Sequence, residues 1–171
     1  LEDIKDKAKQ ETAQRLAKRL EELNSTWTDR FMRNLDRHVA ILQKIQDRAA
    51  IAASAGKDTA AVAAAIQAAN ASIESARAAV IAQAGKTYVL DASAVTATVA
   101  TTTDRGQSEL MKNLKTAFQK VHKALFADLY ALRDGAVADA RKAVQNALQE
   151  LGKIPSVNEG SATTTAATAN Q

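Results

Sequence analysis

The chain has 171 residues and a net charge of +4, and 46% of its residues are hydrophobic, many of them alanine. It contains no cysteine, which excludes a disulfide framework, a thiolate nucleophile and a cysteine-ligated zinc site. No run of about 18 uncharged apolar residues occurs, so the sequence predicts no transmembrane segment. The length predicts one domain, and because alanine buries little area we expect few residues to anchor its core.

The first predicted helix covers about 2–55. Its apolar residues recur at steps of three and four, and neither proline nor glycine interrupts them before Gly56. Its polar residues, such as Lys5 and Asp6, mix both signs of charge, which is typical of a solvated helix face and indicates no nucleic-acid partner. The residues Asn24–Thr26 are good N-caps, so a break there is the alternative to one continuous helix.

A tight turn leads to a second predicted helix over 59–84. Gly56 fits a left-handed C-cap, and Asp58 or Thr59 fits the N-cap of the new helix. About half of the residues in 60–84 are alanine, which favours a helix and lets its axis approach a neighbouring helix closely. We therefore expect a helical hairpin.

Two segments rich in threonine and alanine predict no long helix, namely the extended crossover 86–103 and the low-complexity tail 155–171. The sequence Lys86–Leu90 has β-branched and aromatic residues without a helical stripe. Val95 and Val99 are in phase for a short fourth helix, whereas the threonines beside them favour extended backbone, and of the two we favour the short helix. We expect the tail to be disordered unless a neighbouring subunit holds it as a strand.

The last long helix is predicted over 105–151. Asp104 and Gln107 form a candidate capping box at its start, and Gly152 ends it. Gly135 lies inside its apolar stripe, and we expect it to loosen one turn.

Together these elements predict an all-α fold, an elongated antiparallel helical bundle over 1–154. It has three main helices, a candidate short fourth helix and the crossover, which must return the chain to the end of the first helix if the two long helices are to pair antiparallel. This register places Phe118 near Leu42 and Tyr130 near Phe31. The residues predicted to form the core or the assembly contacts are Trp27, Phe31, Phe118, Phe126, Tyr130, Tyr88, Val95 and Val99.

The two histidines, His38 and His122, fall at the same level in this register. Two facing imidazoles can bind a divalent metal or respond to pH. However, no carboxylate is placed as a third ligand, and His38 lies on the apolar stripe. We therefore predict core histidines, no metal and no cofactor, with a metal or pH sensor as the alternative.

Two further patterns carry a chemical alternative. Gly85, Lys86 and Thr87 are similar to the end of a phosphate-binding loop, but such a loop follows a strand and here a helix precedes it. A helix C-cap is the better interpretation.

Carboxylate pairs such as Glu21 and Glu22 lie on a solvated helix, where no pocket raises a pKa for acid catalysis. We predict no catalytic residue and no enzymatic activity.

Two short motifs carry a resemblance to known proteins. The turn Ala55–Thr59 (Ala-Gly-Lys-Asp-Thr) and the junction Gly85–Tyr88 (Gly-Lys-Thr-Tyr) flank an alanine-rich helix that follows a charged one. In this order the chain resembles a group of uncharacterised secreted helical proteins of ultra-small bacteria with reduced genomes, over Leu23–Glu159. The resemblance implies secretion and no catalytic residue. A start at Leu1 fits a mature protein without its signal peptide, although a trimmed chain starts in the same way.

These patterns lead to an expected function. We expect a secreted, non-enzymatic structural subunit that self-associates into an extracellular filament or surface layer through helix packing and Ala/Thr-rich segments. The expected partner is another copy of the chain, and peripheral contact with a membrane or cell surface stays open. The alternative is a periplasmic or surface module that holds a protein or lipid partner between amphipathic helices.

Overall fold

The computed structural model describes residues 2–90 and 104–155, with side chains described for 10–90 and 111–155. Within these residues the chain is helical and contains no strand, which confirms the predicted all-α class. The predicted short fourth helix, with Val95 and Val99, and the tail from residue 156 onward lie outside the described residues. The elements are α1 (Glu2–Ser54), α2 (Ala60–Ala84), α3 (Asp104–Leu132), a π-helical turn (Arg133–Val137) and α4 (Ala138–Gly152).

Helix α1 passes through Asn24–Thr26 without a break, so the alternative of two helices is wrong. The hydroxyls that favour an N-cap bond instead to carbonyls of the preceding turn. Thr26 Oγ1 donates to the Glu22 carbonyl at 2.7 Å, and Thr28 Oγ1 donates to the Asn24 carbonyl at 2.9 Å. Thr28 is also buried, so the inward-facing stripe of α1 continues through this region.

The turn between α1 and α2 is built as the sequence predicts. Gly56 has a φ of 76°, and its N–H donates to the Ala53 carbonyl while the Lys57 N–H donates to the Ala52 carbonyl. These two bonds satisfy the last carbonyls of α1 in a Schellman motif. The carboxylate of Asp58 then accepts from the Ala60 N–H at 2.9 Å and caps the start of α2.

The contacts divide the chain into two compact units. The described residues of unit 1 lie within Leu1–Phe31 and Ala79–Arg133. Those of unit 2 lie within Met32–Ala78 and Asp134–Gln171. Unit 1 therefore holds the first part of α1, the end of α2 and all of α3, whereas unit 2 holds the second part of α1, most of α2 and α4.

This allocation corrects the predicted pairing of the two long helices. Antiparallel pairing would place the first part of α1 in one unit with α4, but that part shares unit 1 with α3. The predicted neighbours Phe118 and Leu42 accordingly belong to different units. The physical reason lies after α2, where Lys86 and Tyr88 bond to Asp128 and hold the chain in unit 1.

The two cores differ in composition. Unit 1 buries large aliphatic side chains together with polar ones, whereas unit 2 adds many alanines, which allow short distances between helix axes. In unit 1 the buried residues are Leu20, Asn24, Thr28, Phe31, Val80, Gln83, Leu90, Leu114, Leu125, Leu129 and Leu132. In unit 2 they include Leu35, His38, Leu42, Ile45, Val62, Ala65, Ile66, Ala69, Ile73, Ala76, Val137, Ala140, Val144, Ala147 and Leu151.

The π-helical turn accommodates an irregular step in the buried stripe. Buried positions recur every three or four residues on both sides, but Leu132 and Val137 are five residues apart. In a regular α-helix this step would rotate Val137 by about 140° from Leu132. The π-helical turn instead accommodates one residue more than a four-residue step, so Leu132 and Val137 are both buried. Within the turn, Gly135 has a non-helical backbone conformation, with φ −93° and ψ −108°.

Candidate functional site

A reciprocal pair of buried amides joins α1 to the end of α2. Asn24 is 3% exposed and Gln83 is 4% exposed. Asn24 Nδ2 donates to the Gln83 backbone carbonyl at 2.9 Å, and Gln83 Nε2 donates to Asn24 Oδ1 at 3.0 Å. The last carbonyls of a helix lack intrahelical donors, so Asn24 caps α2 from another helix. Asn24 also lies 3.4 Å from the Lys86 carbonyl, which it reaches with the same Nδ2 atom.

The bonded chain continues from Gln83 to α3. Gln83 Nε2 donates to the Tyr88 hydroxyl at 2.7 Å, and that hydroxyl donates to Asp128 Oδ2 at 2.8 Å. Lys86 Nζ reaches the same carboxylate oxygen at 3.0 Å. We call these five residues, Asn24, Gln83, Lys86, Tyr88 and Asp128, the polar clasp, because together they connect α1, α2, α3 and the segment after α2.

Two members of the clasp, Tyr88 and Asp128, have pKa values shifted away from neutral pH. Burial raises the pKa of Tyr88 to about 12, and the hydrogen bond to Asp128 acts in the same direction, while the bond from Gln83 opposes it. The hydrogen bonds from Tyr88 and then Lys86 lower the pKa of Asp128. A general acid or base works best with a pKa close to the working pH, so these groups suit a structural connection better than proton transfer.

An aromatic ladder runs along α3 at steps of four residues. Its members are Phe118, His122, Phe126 and Tyr130, and neighbouring ring centroids are 5.7, 4.6 and 5.8 Å apart. Phe118, His122 and Phe126 are half-buried, whereas Tyr130 is 47% exposed. The ladder therefore lies at the edge of the core and reaches solvent at Tyr130.

Helix α1 adds two rings to the ladder. Trp27 contacts Phe126 edge-on with centroids 6.3 Å apart, and it contacts Phe31 at 6.0 Å. The Arg30 guanidinium lies 5.4 Å from the Trp27 ring centroid, and that of Arg133 lies 4.7 Å from the Tyr130 centroid. The structure thus brings Trp27, Phe31, Phe118, Phe126 and Tyr130 into one continuous set of ring contacts.

The two histidines have separate surroundings, and the hypothesis that they face each other is wrong. His38 belongs to unit 2 and is 8% exposed, and its Nδ1 atom has no hydrogen-bond partner among the residues that the structure describes. Burial, and secondly the charge of Arg141, lower the pKa of His38. His122 belongs to unit 1, where its ring lies between Phe118 and Phe126.

The outward side of α2 in unit 2 carries a second regular stripe. We call it the alanine face, and it consists of the exposed residues Ala61, Ala64, Ala68, Ala71, Ser75 and Ala78, at steps of three and four. Between residues 60 and 84 the sequence has only two charged side chains, Glu74 and Arg77. Arg77 forms an ion pair with Asp36 of α1. The buried side of α2 thus packs into the core, whereas the alanine face presents small uncharged side chains to solvent next to the exposed Gln67, Asn70 and Glu74.

The Gly85–Thr87 sequence has the geometry of a helix end. The Gly85 N–H donates to the Ile81 carbonyl, and the Lys86 N–H donates to the Gln83 carbonyl. The side chain of Lys86 bonds to Asp128. Tyr88, predicted as an assembly residue, has its hydroxyl in the clasp, whereas its neighbour Val89 is 75% exposed.

The sequence analysis missed three members of the clasp, namely Asn24, Gln83 and Asp128. A signal was present for two of them, because Asn24 and Gln83 are in phase with the apolar stripes of α1 and α2. A polar residue at a buried helical position needs a partner, so two such residues on adjacent helices indicate a bonded pair. No comparable pattern marks Asp128.

Comparisons of the chain with protein families, with curated proteins and with solved structures found no match. Of the helices that the structure describes, none combines the length and apolar character needed to cross a bilayer. The side chains described contain no cluster of three or more histidine, aspartate or glutamate residues suited to a metal ion. Function is therefore inferred from the surfaces and contacts themselves.

Proposed function

We propose that the protein is a secreted, non-enzymatic structural subunit that self-associates into an extracellular filament or surface layer. The observation that carries this proposal is the alanine face of α2. In a chain with 25% charged residues, the six exposed positions of this face contain five alanines and one serine. A helix face that only needs to be solvated has no requirement for such a composition.

The spacing of the alanine face suits contact with another helix. Its steps of three and four repeat with the period at which two helices remain in contact along their length. Small side chains permit axes to approach to the short end of the usual range of about 8–10 Å, where backbone and methyl groups make many van der Waals contacts. The same face on a second copy is complementary in size and carries no opposing charge, so we propose that two copies pack α2 against α2.

Intramolecular bonds support this role by fixing the position of α2. The polar clasp anchors its C-terminal end, and the ion pair between Arg77 and Asp36 joins its middle to α1. A face that is already ordered loses less conformational entropy when it binds. As part of the proposal, the helices form one bundle with α2 antiparallel to α1, and the Ala/Thr-rich sequences 91–103 and 156–171 supply the second contact that extends a pair of copies into a polymer.

The proposal is tested with the full chain and one charged substitution. Ala71→Glu places a carboxylate in the middle of the alanine face, where it must be desolvated if α2 packs against α2. We expect the parent chain to form oligomers and polymers in light scattering and negative-stain microscopy, and Ala71→Glu to be monomeric. Ala50→Glu introduces the same change at an exposed position of α1 and is expected to assemble like the parent.

Two outcomes contradict the proposal. A parent chain that stays monomeric at high concentration would show that no self-association occurs. Equal loss of assembly in Ala71→Glu and Ala50→Glu would show that added charge acts without regard to the alanine face. A chain ending at Glu159 separates the contribution of the tail, and we expect it to stop at small oligomers.

A further inference from the structure

Helix α3 carries an unusual distribution of charge. From Met111 to Ala127 it contains Lys112, Lys115, Lys120 and Lys123, with neither aspartate nor glutamate. All four lysines are exposed. In α1, by contrast, basic and acidic residues are mixed along the helix. The first acidic residue after Met111 is Asp128, and it is bonded to Lys86 and Tyr88 in the clasp.

The lysines lie beside the aromatic ladder. Lys115 precedes Phe118 by three positions and Lys123 precedes Phe126 by three, so each shares a helix face with a ring of the ladder. The apolar stripe also extends beyond the ladder, because Met111 precedes Phe118 by two turns and is 60% exposed. At the other end Tyr130 is 47% exposed. We call this surface the lysine–aromatic face of α3.

The arrangement of the rings limits the class of partner. A nucleobase needs an open ring face on which to stack. In the ladder the rings contact one another, with centroids as close as 4.6 Å, and guanidinium groups lie over Trp27 and Tyr130. The apolar surface available to a partner therefore consists of the partly exposed rings and the exposed Met111 side chain, next to lysine ammonium groups.

We propose that the lysine–aromatic face of α3 binds the surface of an anionic lipid bilayer. Lysine ammonium groups are attracted to anionic headgroups, and tyrosine and methionine side chains enter the boundary between headgroups and acyl chains. Helix α3 lies in the plane of the interface in this mode and does not cross the bilayer. The inference goes beyond self-association and does not depend on it, because the alanine face belongs to α2 in unit 2 and this face belongs to unit 1.

Vesicle flotation of the full chain tests the proposal. We expect binding to vesicles of phosphatidylcholine mixed with phosphatidylserine, no binding to phosphatidylcholine alone, and release by added salt. The double variant Lys115→Gln and Lys123→Gln should lose roughly twenty-five-fold in affinity, at about fivefold for each lysine. Lys44→Gln with Lys57→Gln is the matched control, because it removes two exposed lysines from unit 2.

The single tryptophan reports the orientation on the membrane. Trp27 contacts Phe126 of the ladder, so brominated lipids in anionic vesicles should quench its fluorescence. Equal losses in the two double variants, or equal binding to neutral vesicles, would overturn the proposal. So would single-stranded DNA that binds through Lys115 and Lys123 and competes with vesicles, since the face would then be a nucleic-acid surface.

Discussion

Asn24 and Gln83 exchange hydrogen bonds between α1 and the last turn of α2, at 2.9 and 3.0 Å, with both side chains almost fully buried. The Gln83 amide therefore satisfies the buried Asn24 oxygen, and Asn24 adds a second donor to the Gln83 carbonyl, which also accepts from the Lys86 N–H. A bonded polar pair in an apolar helix contact favours one register over its alternatives, since a shift by one turn separates Asn24 from Gln83 and breaks both bonds between them. This pair accounts for the position of α2 in unit 1.

The first prediction concerns this pair. Asn24→Leu leaves the Gln83 amide without its acceptor on α1 and removes one of the two donors to the Gln83 carbonyl, the other being the Lys86 N–H, so we expect a loss of roughly 1–3 kcal/mol in the free energy of unfolding. The double variant Asn24→Leu with Gln83→Leu should lose less than the sum of the two single variants. Urea unfolding measures both. Asn34→Leu, at an exposed position of α1, is the control, and losses that simply add would show that the amides are not coupled.

The second prediction concerns Tyr88 at alkaline pH. Its pKa in the folded protein is raised to about 12 from 10.0, so the folded state holds this proton more tightly than the unfolded state. The stabilisation that Tyr88 gains from holding this proton is complete below pH 10.0. It is lost as the pH rises through the pKa of Tyr88 in the folded protein. We expect Tyr88→Phe to remove this alkaline loss in urea unfolding and to remove the component near 12 from a tyrosine absorbance titration. An unchanged titration curve would contradict this assignment.

The third prediction concerns His38 at acid pH. Its lowered pKa means that the unfolded state binds the proton more readily, so stability is complete above the ordinary histidine pKa of 6.5 and falls as the pH decreases below it. His38→Leu should reduce the acid loss and should leave stability at neutral pH equal or higher, because it removes the buried, unpartnered Nδ1 atom. Unfolding curves on both sides of pH 6.5 test this. Part of the stability lost at acid pH should remain in this variant, because Asp128 also has a lowered pKa. Protonation of Asp128 reduces stability in the same direction, at lower pH.

The fourth prediction concerns the π-helical turn. Deleting Ala136 reduces the step between Leu132 and Val137 to four residues, which a regular α-helix accommodates, so we expect a change within about 1 kcal/mol. Deleting Asn146 reduces the step between buried Val144 and Ala147 to two and turns Leu151 outward, which should cost at least about 2 kcal/mol. Thermal unfolding compares the two deletions. Equal losses of stability in the two deletions would show that the π-helical turn does not accommodate the five-residue step.

Much of the fold follows from the sequence, and the reasons for the failures are specific. Periodicity, Gly56 and Asp58 determine three long helices and their first turn, because these signals are local. Periodicity specifies which face of a helix is buried but not the direction of its partner, so the pairing of the long helices was predicted wrongly. The step between Leu132 and Val137 was visible in the sequence, yet a five-residue interval indicates an irregularity without specifying its form.

The candidate site was predicted less completely. The aromatic residues of α1 and α3 were selected because large rings dominate a thin core. The clasp was missed because Asn24 was interpreted through its capping preference, a local property, whereas its bond to Gln83 joins residues 59 positions apart. A non-local hydrogen bond of this kind depends on the register between helices, which the sequence pattern alone does not determine.

Disulfide crosslinking tests the central claim of self-association through α2 most directly, since the chain contains no cysteine of its own. Ala71→Cys introduces one thiol in the middle of the alanine face, and Ala50→Cys introduces one on the exposed side of α1. Under mild oxidation of the full chain, the account predicts rapid covalent dimers for Ala71→Cys and few for Ala50→Cys. Absence of dimers for Ala71→Cys, or equal amounts from both variants, would contradict it.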